Sequence, residues 1–382
     1  MNIPAYTRRT ARVQNNVSHG AGARGCSRSA PFGSLCSPLP PLWRGKLICR
    51  NAKPPPCDTG EGDRVSGGRG VLSVLGRQTK GCCTNQKITL CSSPDHKNAP
   101  LHNSADARVT CELCPHACRL RAGATGFCRA RRNEGGTIRA INYGRLTALA
   151  LDPIEKKPLY HFYPNSQILS VGSFGCNLAC PFCQNAGIAA ADERIETENV
   201  TPAQLAALAE ELSRRPPGNL GVAFTYNEPL LSYEYILDTA PLLHATGLRV
   251  VLVSNGTICA EPLERLLPHV DAMNIDLKGW REDFYRRLGG DLMTVRETIT
   301  HAVRAGVHVE VTTLIIPGMN DSPADMDAEA RWIASLSPDI PLHISRYFPR
   351  HRVSTPPTPI ALIDRLAEIA RRHLRHVHRG NC

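Results

Sequence analysis

The sequence predicts an α/β fold in which a parallel sheet is covered by helices, and three observations carry that prediction. From Ile168 onward, short apolar β-branched runs alternate with amphipathic helical stretches through six units. The strand runs are continuously apolar, as expected of strands buried on both faces. Polar phrases gather where the strands end, the edge at which α/β folds, open or closed, build their sites.

The units follow in order. "ILSVGSF" reads as the first strand, and the helical "TPAQLAALAEELSRR" follows with Thr201 at its N-cap, Pro202 at the first helical position and Gln204 completing a capping box. "LGVAFTY" is the second strand. Its helix, "LSYEYILDTAPLLHATG", is expected to break or kink at Pro241 and to end at Gly247. "LRVVLVSNG", "AMNIDLKG", "VHVEVTTLIIPG" and "PLHISRYF" repeat the theme, separated by helical "PLERLLPHV", "VRETITHAVRAG" and "ADMDAEARWIASL". A last helix, "PIALIDRLAEIARRHLRH", is expected to close the chain. This pattern allows an open, doubly wound sheet or one curved toward a barrel.

Composition divides the 382 residues into three parts. Residues 1–107 hold three aromatics (Tyr6, Phe32, Trp43) and no helical or strand periodicity, so they read as a disordered tail. They carry 15 Lys+Arg against 5 Asp+Glu while the rest carries 30 against 29, so ten of the eleven formal positive charges belong to the tail. A loosely constrained or wrongly translated extension outweighs a nucleic-acid or membrane arm as its reading. Residues 108–165 form a Cys-rich module, with short strands around "GTIRAINYGRLTALAL", that ends in "DPIEKKPLYHFYP", an ordered loop pinned by Pro153, Pro158 and Pro164. Residues 166–382 are the core domain.

No apolar run approaches the roughly 20 residues of a spanning helix, and the start lacks a signal-peptide stretch, so a cytoplasmic, reducing compartment is expected. In that setting sixteen cysteines point to metal or redox chemistry rather than disulfides. The nearly neutral folded part counts against nucleic-acid binding.

Two cysteine sets stand out. "FGCNLACPFCQN" places Cys176, Cys180 and Cys183 on one loop, where three thiolates can converge and no fourth ligand follows closely. An open metal position marks a catalytic site; the bland alternatives are a zinc site borrowing a distant ligand such as Cys259 and a set of unrelated core thiols. "CELCPHACRLRAGATGFC" presents Cys111, Cys114, Cys118 and Cys128, with Gly123 and Gly126 turning the chain back. Four thiolates at this spacing suit zinc or a fully ligated Fe–S cluster, and idle thiols are the rival reading. Downstream, "TYNEP", "VSNG" and "DLKG" end the second, third and fourth strands.

The triplet, with Phe182 between its second and third cysteines, resembles the C-x3-C-x-aromatic-C loop of the radical S-adenosylmethionine (SAM) superfamily. The resemblance implies a [4Fe–4S] cluster whose open iron holds SAM, and reductive cleavage of SAM to a 5′-deoxyadenosyl radical. It further implies that Glu228, before Pro229, contacts the methionine amino group, although Tyr226 and Asn227 stand where the superfamily has glycines. Ser254 and Asn255 resemble the pair that meets ribose or carboxylate. Asp276 and Lys278 resemble an Asp-Leu-Lys of pyruvate formate-lyase activating enzymes that contacts SAM. His343 resembles a histidine reaching the nucleoside, and Thr312 is a weaker candidate of the same kind.

Taken in order from Arg108, the module, the "DPIEKKPLYHFYP" loop, the triplet and "FTYNEP" are similar to the AmmeMemoRadiSam system radical SAM enzymes, relatives of the activating enzymes. Ala186 and Gly187 depart from the aromatic that family often has after "CQN". The likeness implies a partial (β/α)6 barrel, a protein substrate, an electron donor such as flavodoxin or ferredoxin, and AMMECR1-domain and Memo-like partners. Small-molecule or RNA substrates, a noncatalytic metal-binding module and an Fe–S electron carrier are the alternatives.

Overall fold

The computed structural model describes residues 108–382; the expected disorder of residues 1–107 lies outside the described residues. The Cys-rich segment opens with two antiparallel pairs, β1 (Val109–Thr110) with β2 (Arg119–Leu120) and β3 (Arg131–Glu134) with β4 (Thr137–Ala140). β5 (Arg145–Leu146) and β6 (Ala148–Pro153) follow, so the short strands expected around "GTIRAINYGRLTALAL" are present. The main parallel strands are β7 (Gln167–Gly172), β9 (Gly221–Phe224), β10 (Arg249–Ser254), β11 (Ala272–Asp276), β12 (His308–Ile315) and β13 (Leu342–Arg346). A two-residue β8 (Glu198–Asn199) pairs with β5 outside that sheet.

Helices α2 (Pro202–Ser213), α3 (Tyr233–His244), α4 (Ala260–Leu266), α6 (Leu292–Arg304) and α7 (Pro323–Leu336) connect consecutive strands, after a one-turn α1 (Ala186–Ala189), and α8 (Ile360–Ala370) follows β13. α2 starts as expected: Thr201 Oγ1 accepts from Gln204 N at 3.2 Å, and Gln204 Oε1 accepts from Thr201 N at 2.9 Å. Pro241 lies inside α3, three residues from its end, and Gly247 with φ of +75° follows. α5 (Glu282–Arg287), between β11 and α6, was not foreseen, because its six residues are too few to show a helical period.

The eight-stranded sheet has the order β14-β13-β12-β11-β10-β9-β7-β6, with seven parallel strands and an antiparallel β6. Two of its strands correct the sequence reading. β6 belongs to the segment assigned to the preceding module yet pairs with β7 along its whole length. The chain ends not on a helix but on β14 (Val377–Gly380), whose four residues, Val-His-Arg-Gly, carry almost no strand pattern and are held by the β13 ladder. Among the described residues β6 and β14 do not pair, so the sheet stays open, as a partial barrel requires.

Register sets the inner face. Directly paired residues share a face, which puts Ser170, Ala223, Val251, Ala272 and His308 in one row and Asp276, Thr312, His343 and His378 in another. Residues 153–166 fold under the N-terminal end of this face, where Ile154, Leu159 and Phe162 pack on Ile168, Ala223, Val251 and Ala272. Burying such side chains is worth about 1.5–3 kcal/mol each. That end is filled, and the carboxyl ends of the strands carry the polar phrases. No helix among the described residues is long and apolar enough to cross a membrane.

Candidate functional site at the carboxyl ends of the strands

β7 runs directly into the cysteine loop. Its anchors are apolar: Phe182, 4% exposed, stacks on Phe284 of α5 with ring centroids 6.3 Å apart, and Ala179 N donates to Leu288 O at 2.8 Å. Phe182 therefore fixes the loop from beneath. Residues 226–227 hold the loop at both ends. Asn227 Nδ2 donates to the carbonyls of Phe174 and Gly175 at 3.2 and 3.1 Å, and Asn185 Nδ2 donates to Tyr226 O at 2.7 Å.

Glu228, 2% exposed, is the hub of the second layer. Its Oε1 accepts from Ser254 Oγ at 2.7 Å and Leu230 N at 3.1 Å, and its Oε2 accepts from Asn255 N at 2.8 Å. Burial pushes its pKa up to about 7 against these donors, which favour the charged form. Asn255 extends the network, with its Nδ2 3.6 Å from Cys176 Sγ and 2.9 Å from Asn177 Oδ1. Glu228, Ser254, Asn255 and Cys176, scattered over 79 residues, thus form one connected set. Both Glu228 oxygens accept from its own chain.

The third contribution comes from β11. Lys278 Nζ donates to Asp276 Oδ2 at 2.8 Å, while its backbone N is fixed by Tyr285 Oη at 2.8 Å and its carbonyl by Asn320 Nδ2 at 2.8 Å. Burial alone would lower the Lys278 pKa, but the Asp276 carboxylate and the Cys180 sulfur outweigh it, so the ammonium is retained. Burial pushes the Cys180 thiol up to about 11 and also raises Cys183, while Lys278 pulls both down. A cation therefore stands beside the loop thiols, where it favours their thiolate forms. Thr312, directly paired with Asp276, has a buried hydroxyl without a hydrogen-bond partner.

His343 shares that row, but its imidazole turns toward the filled end. Its Nε2 lies 2.6 Å from Glu310 Oε2, and His308 Nε2 lies 2.9 Å from Oε1. Tyr160 N and His161 N donate to the same carboxylate at 3.0 and 2.8 Å. Burial would raise the Glu310 pKa, but these donors hold it at about 2. His343 thus joins the base of the sheet to the 153–166 loop.

Two residues that sequence reasoning left without a role complete the site. Tyr226 occupies the left-handed region with φ of +71°, where the superfamily glycines fit, and its hydroxyl donates to Asp152 Oδ2 at 2.7 Å. Lys157, nearly fully buried, donates to the same oxygen at 2.8 Å and sits 4.6 Å from the Tyr226 ring centroid. Burial works against the Asp152 charge, but Lys157 overrides it and holds the pKa at about 2. Tyr226 and the "DPIEKKP" phrase are therefore one unit. A tyrosine at a glycine position was the only signal for it.

The Cys-rich module lies against the cysteine loop. Gly175, with φ of +90°, has Cys128 O so close that a Cβ would meet it at 2.6 Å. His116 Nε2 lies 2.8 Å from Asn177 O. Cys259 proves to be a neighbour of this module, its N donating to Leu113 O at 3.0 Å. All nine cysteines among the described residues are free thiols. Among the described residues no three His, Cys, Asp or Glu side chains are gathered as tightly as a bound ion requires, and this holds for both cysteine sets alike.

The Radical SAM superfamily model matches residues 170–330. An uncharacterized protein of Methanocaldococcus jannaschii is 38% identical over 281 residues, covering 72% of this chain and 82% of that protein. The benzylsuccinate synthase activating enzyme of Thauera aromatica is 30% identical over 134 residues, 33% of this chain and 39% of that enzyme. Among solved structures, a radical SAM methyltransferase from Sphaerobacter thermophilus aligns with a TM-score of 0.45 at 18% identity, covering 57% of this chain and 67% of its own.

Proposed function

The chain belongs to the radical SAM superfamily, and on that premise we propose that it is a radical SAM enzyme of the activating-enzyme type that generates a substrate radical on a partner protein. A [4Fe–4S] cluster and SAM are characteristic of the superfamily. When bound, they supply a one-electron reductive cleavage of the sulfonium and a 5′-deoxyadenosyl radical able to abstract hydrogen.

The residues present fit that pair of cofactors. Cys176, Cys180 and Cys183 are three soft donors within eight residues, with no fourth, and Lys278 balances negative charge beside them. The observation that carries the reading is the convergence, at one end of a parallel sheet, of these thiols with the Glu228–Asn255 network and the Asp276–Lys278 pair. Asp276, Lys278 and the Thr312 hydroxyl are the groups assigned to SAM, since they offer an acceptor, a cation and a buried hydroxyl without a partner. Glu228 is assigned to hold Ser254 and Asn255, and through Asn255 to orient Cys176. Tyr226 and Asn227 secure the two ends of the cysteine loop.

The activating-enzyme reading draws support from the Thauera aromatica relative, and the open sheet provides an unpaired edge on each side for a peptide to approach. Membership of the AmmeMemoRadiSam system, with AMMECR1-domain and Memo-like partners and a flavodoxin or ferredoxin donor, rests on the quoted sequence phrases. Cys111, Cys114, Cys118 and Cys128 are assigned to a second metal. Anaerobic reconstitution with iron and sulfide, followed by dithionite and SAM, should yield 5′-deoxyadenosine from the intact protein and none from Cys176→Ala. If neither protein produces it, although the intact chain forms a cluster, the radical reading fails.

A further inference from the structure

Deepening that second-site assignment, we propose that Cys111, Cys114, Cys118 and Cys128 hold one zinc ion as a closed tetrathiolate, and that this ion braces the cysteine loop. The backbone already has the turns such a site needs. Cys111 N donates to Cys118 O at 2.9 Å and Ala117 N to Cys114 O at 3.1 Å, with Ala117 at a φ of +41°. Around Cys128, Gly126 N donates to Arg131 O at 2.8 Å and Arg129 N to Gly126 O at 3.0 Å, with Arg129 at a φ of +63°. Two tight turns, each with a non-glycine residue in the left-handed region, face one another. Outside a cross-linked segment such strain costs of order 1–3 kcal/mol apiece.

The four side chains line a single small cavity of about 10 Å³. That volume is about one water-sized sphere. A mononuclear ion with Zn–S bonds of about 2.3 Å fits among four sulfurs with a change of rotamer at the single torsion each cysteine has. A cubane of four irons and four sulfides demands a larger rearrangement of the same walls. Size therefore favours a single ion where the spacing left the metal open.

An independent observation points to an anionic occupant. Arg131 lines the same cavity, is 6% exposed, and has a buried Nε with no hydrogen-bond partner, although its two terminal nitrogens bind Glu234 at 2.5 and 2.8 Å. A neutral thiol is a poor acceptor for that donor, whereas a zinc-bound thiolate is a good one. Zinc binding releases four protons and leaves a net charge of −2 on the tetrathiolate, toward which Arg131, itself paired with Glu234, still has its Nε to donate. His116 also lines the cavity, but its Nε2 is engaged with Asn177 O, outside the ligand set.

The link to the reactive loop is short. Cys128 O packs on Gly175 and His116 bonds Asn177, the residues on either side of Cys176. Ordering the module therefore orders the loop. The test reads zinc, so it is independent of SAM chemistry. The full chain, reconstituted anaerobically, should carry about one zinc beside its four irons. Cys111→Ser/Cys128→Ser should lose the zinc and keep the iron, whereas Cys176→Ala should keep the zinc. Eight irons without zinc, or zinc unchanged in the double variant, would overturn the proposal. Should that variant fail to fold, X-ray absorption at the zinc edge of the intact protein decides: four sulfurs at about 2.3 Å support the site, and nitrogen or oxygen neighbours refute it.

Discussion

The two cysteine sets lie side by side and are built on opposite principles. Cys176, Cys180 and Cys183 sit at the mouth of the sheet, three donors beside Lys278, with their loop tied down by Phe182, Asn227 and Asn185. Cys111, Cys114, Cys118 and Cys128 line a small cavity away from the sheet, four donors with Arg131 against them. The difference teaches how to separate a reactive metal from a structural one without seeing either. An incomplete donor set held by the surrounding fold leaves a position for chemistry, whereas a complete set closes around its ion and lends the turns further order.

The comparison breaks most sharply if the two sets respond alike. Cys176→Ala should reduce 5′-deoxyadenosine formation by more than the ~100-fold that loss of an outer-shell partner costs, with zinc unchanged; equal loss of both metals would merge the sets. Gly175→Ala forces a Cβ onto Cys128 O and a strained backbone, so the melting transition should report about 3–4 kcal/mol of lost stability, together with loosening of both sets. A control at the far end of the sheet is Glu310→Gln. Holding the carboxylate pKa at about 2, well below its ordinary 4.5, contributes on the order of 3 kcal/mol above pH 5, and this declines as pH falls toward 2. Denaturation curves of wild type and variant should therefore differ at pH 7 and converge in acid, with neither metal content altered.

Smaller changes sharpen the contrast within the mouth itself. Asn255→Ala removes the side chain that reaches Cys176 and Asn177, and 5′-deoxyadenosine formation should fall about tenfold while zinc is retained. Tyr226→Phe deletes the hydroxyl that donates to Asp152 and should cost about 1–2 kcal/mol in urea unfolding, with a rise in the KM for SAM if the clamp sets the loop.

Much of this was legible in the residues. The βα alternation, the capping box at Thr201 and the triplet follow from local rules, because each is set by neighbours within a few positions. Other features were not. Glu-Pro at a strand end says nothing of the bonds Glu228 makes to Ser254 and Asn255, 26 and 27 residues away. The Glu310 partner of His343 is equally hidden, because it lies on another strand. That Cys259 neighbours the Cys-rich module is hidden for the same reason. β14 was missed because its pattern is weak and its stability comes from β13.

The amino-acid order alone determined that a parallel sheet forms, that three thiols share a loop at its carboxyl edge, and that four more stand at metal-binding spacing, since periodicity and spacing are local. Only the tertiary structure decided which donors face which acceptors. It placed Glu228 behind Asn255, joined Tyr226 to Asp152, and set Cys111, Cys114, Cys118 and Cys128 along one small cavity. Those pairings depend on strand register and loop packing, which bring together residues whose separation along the chain carries no signal.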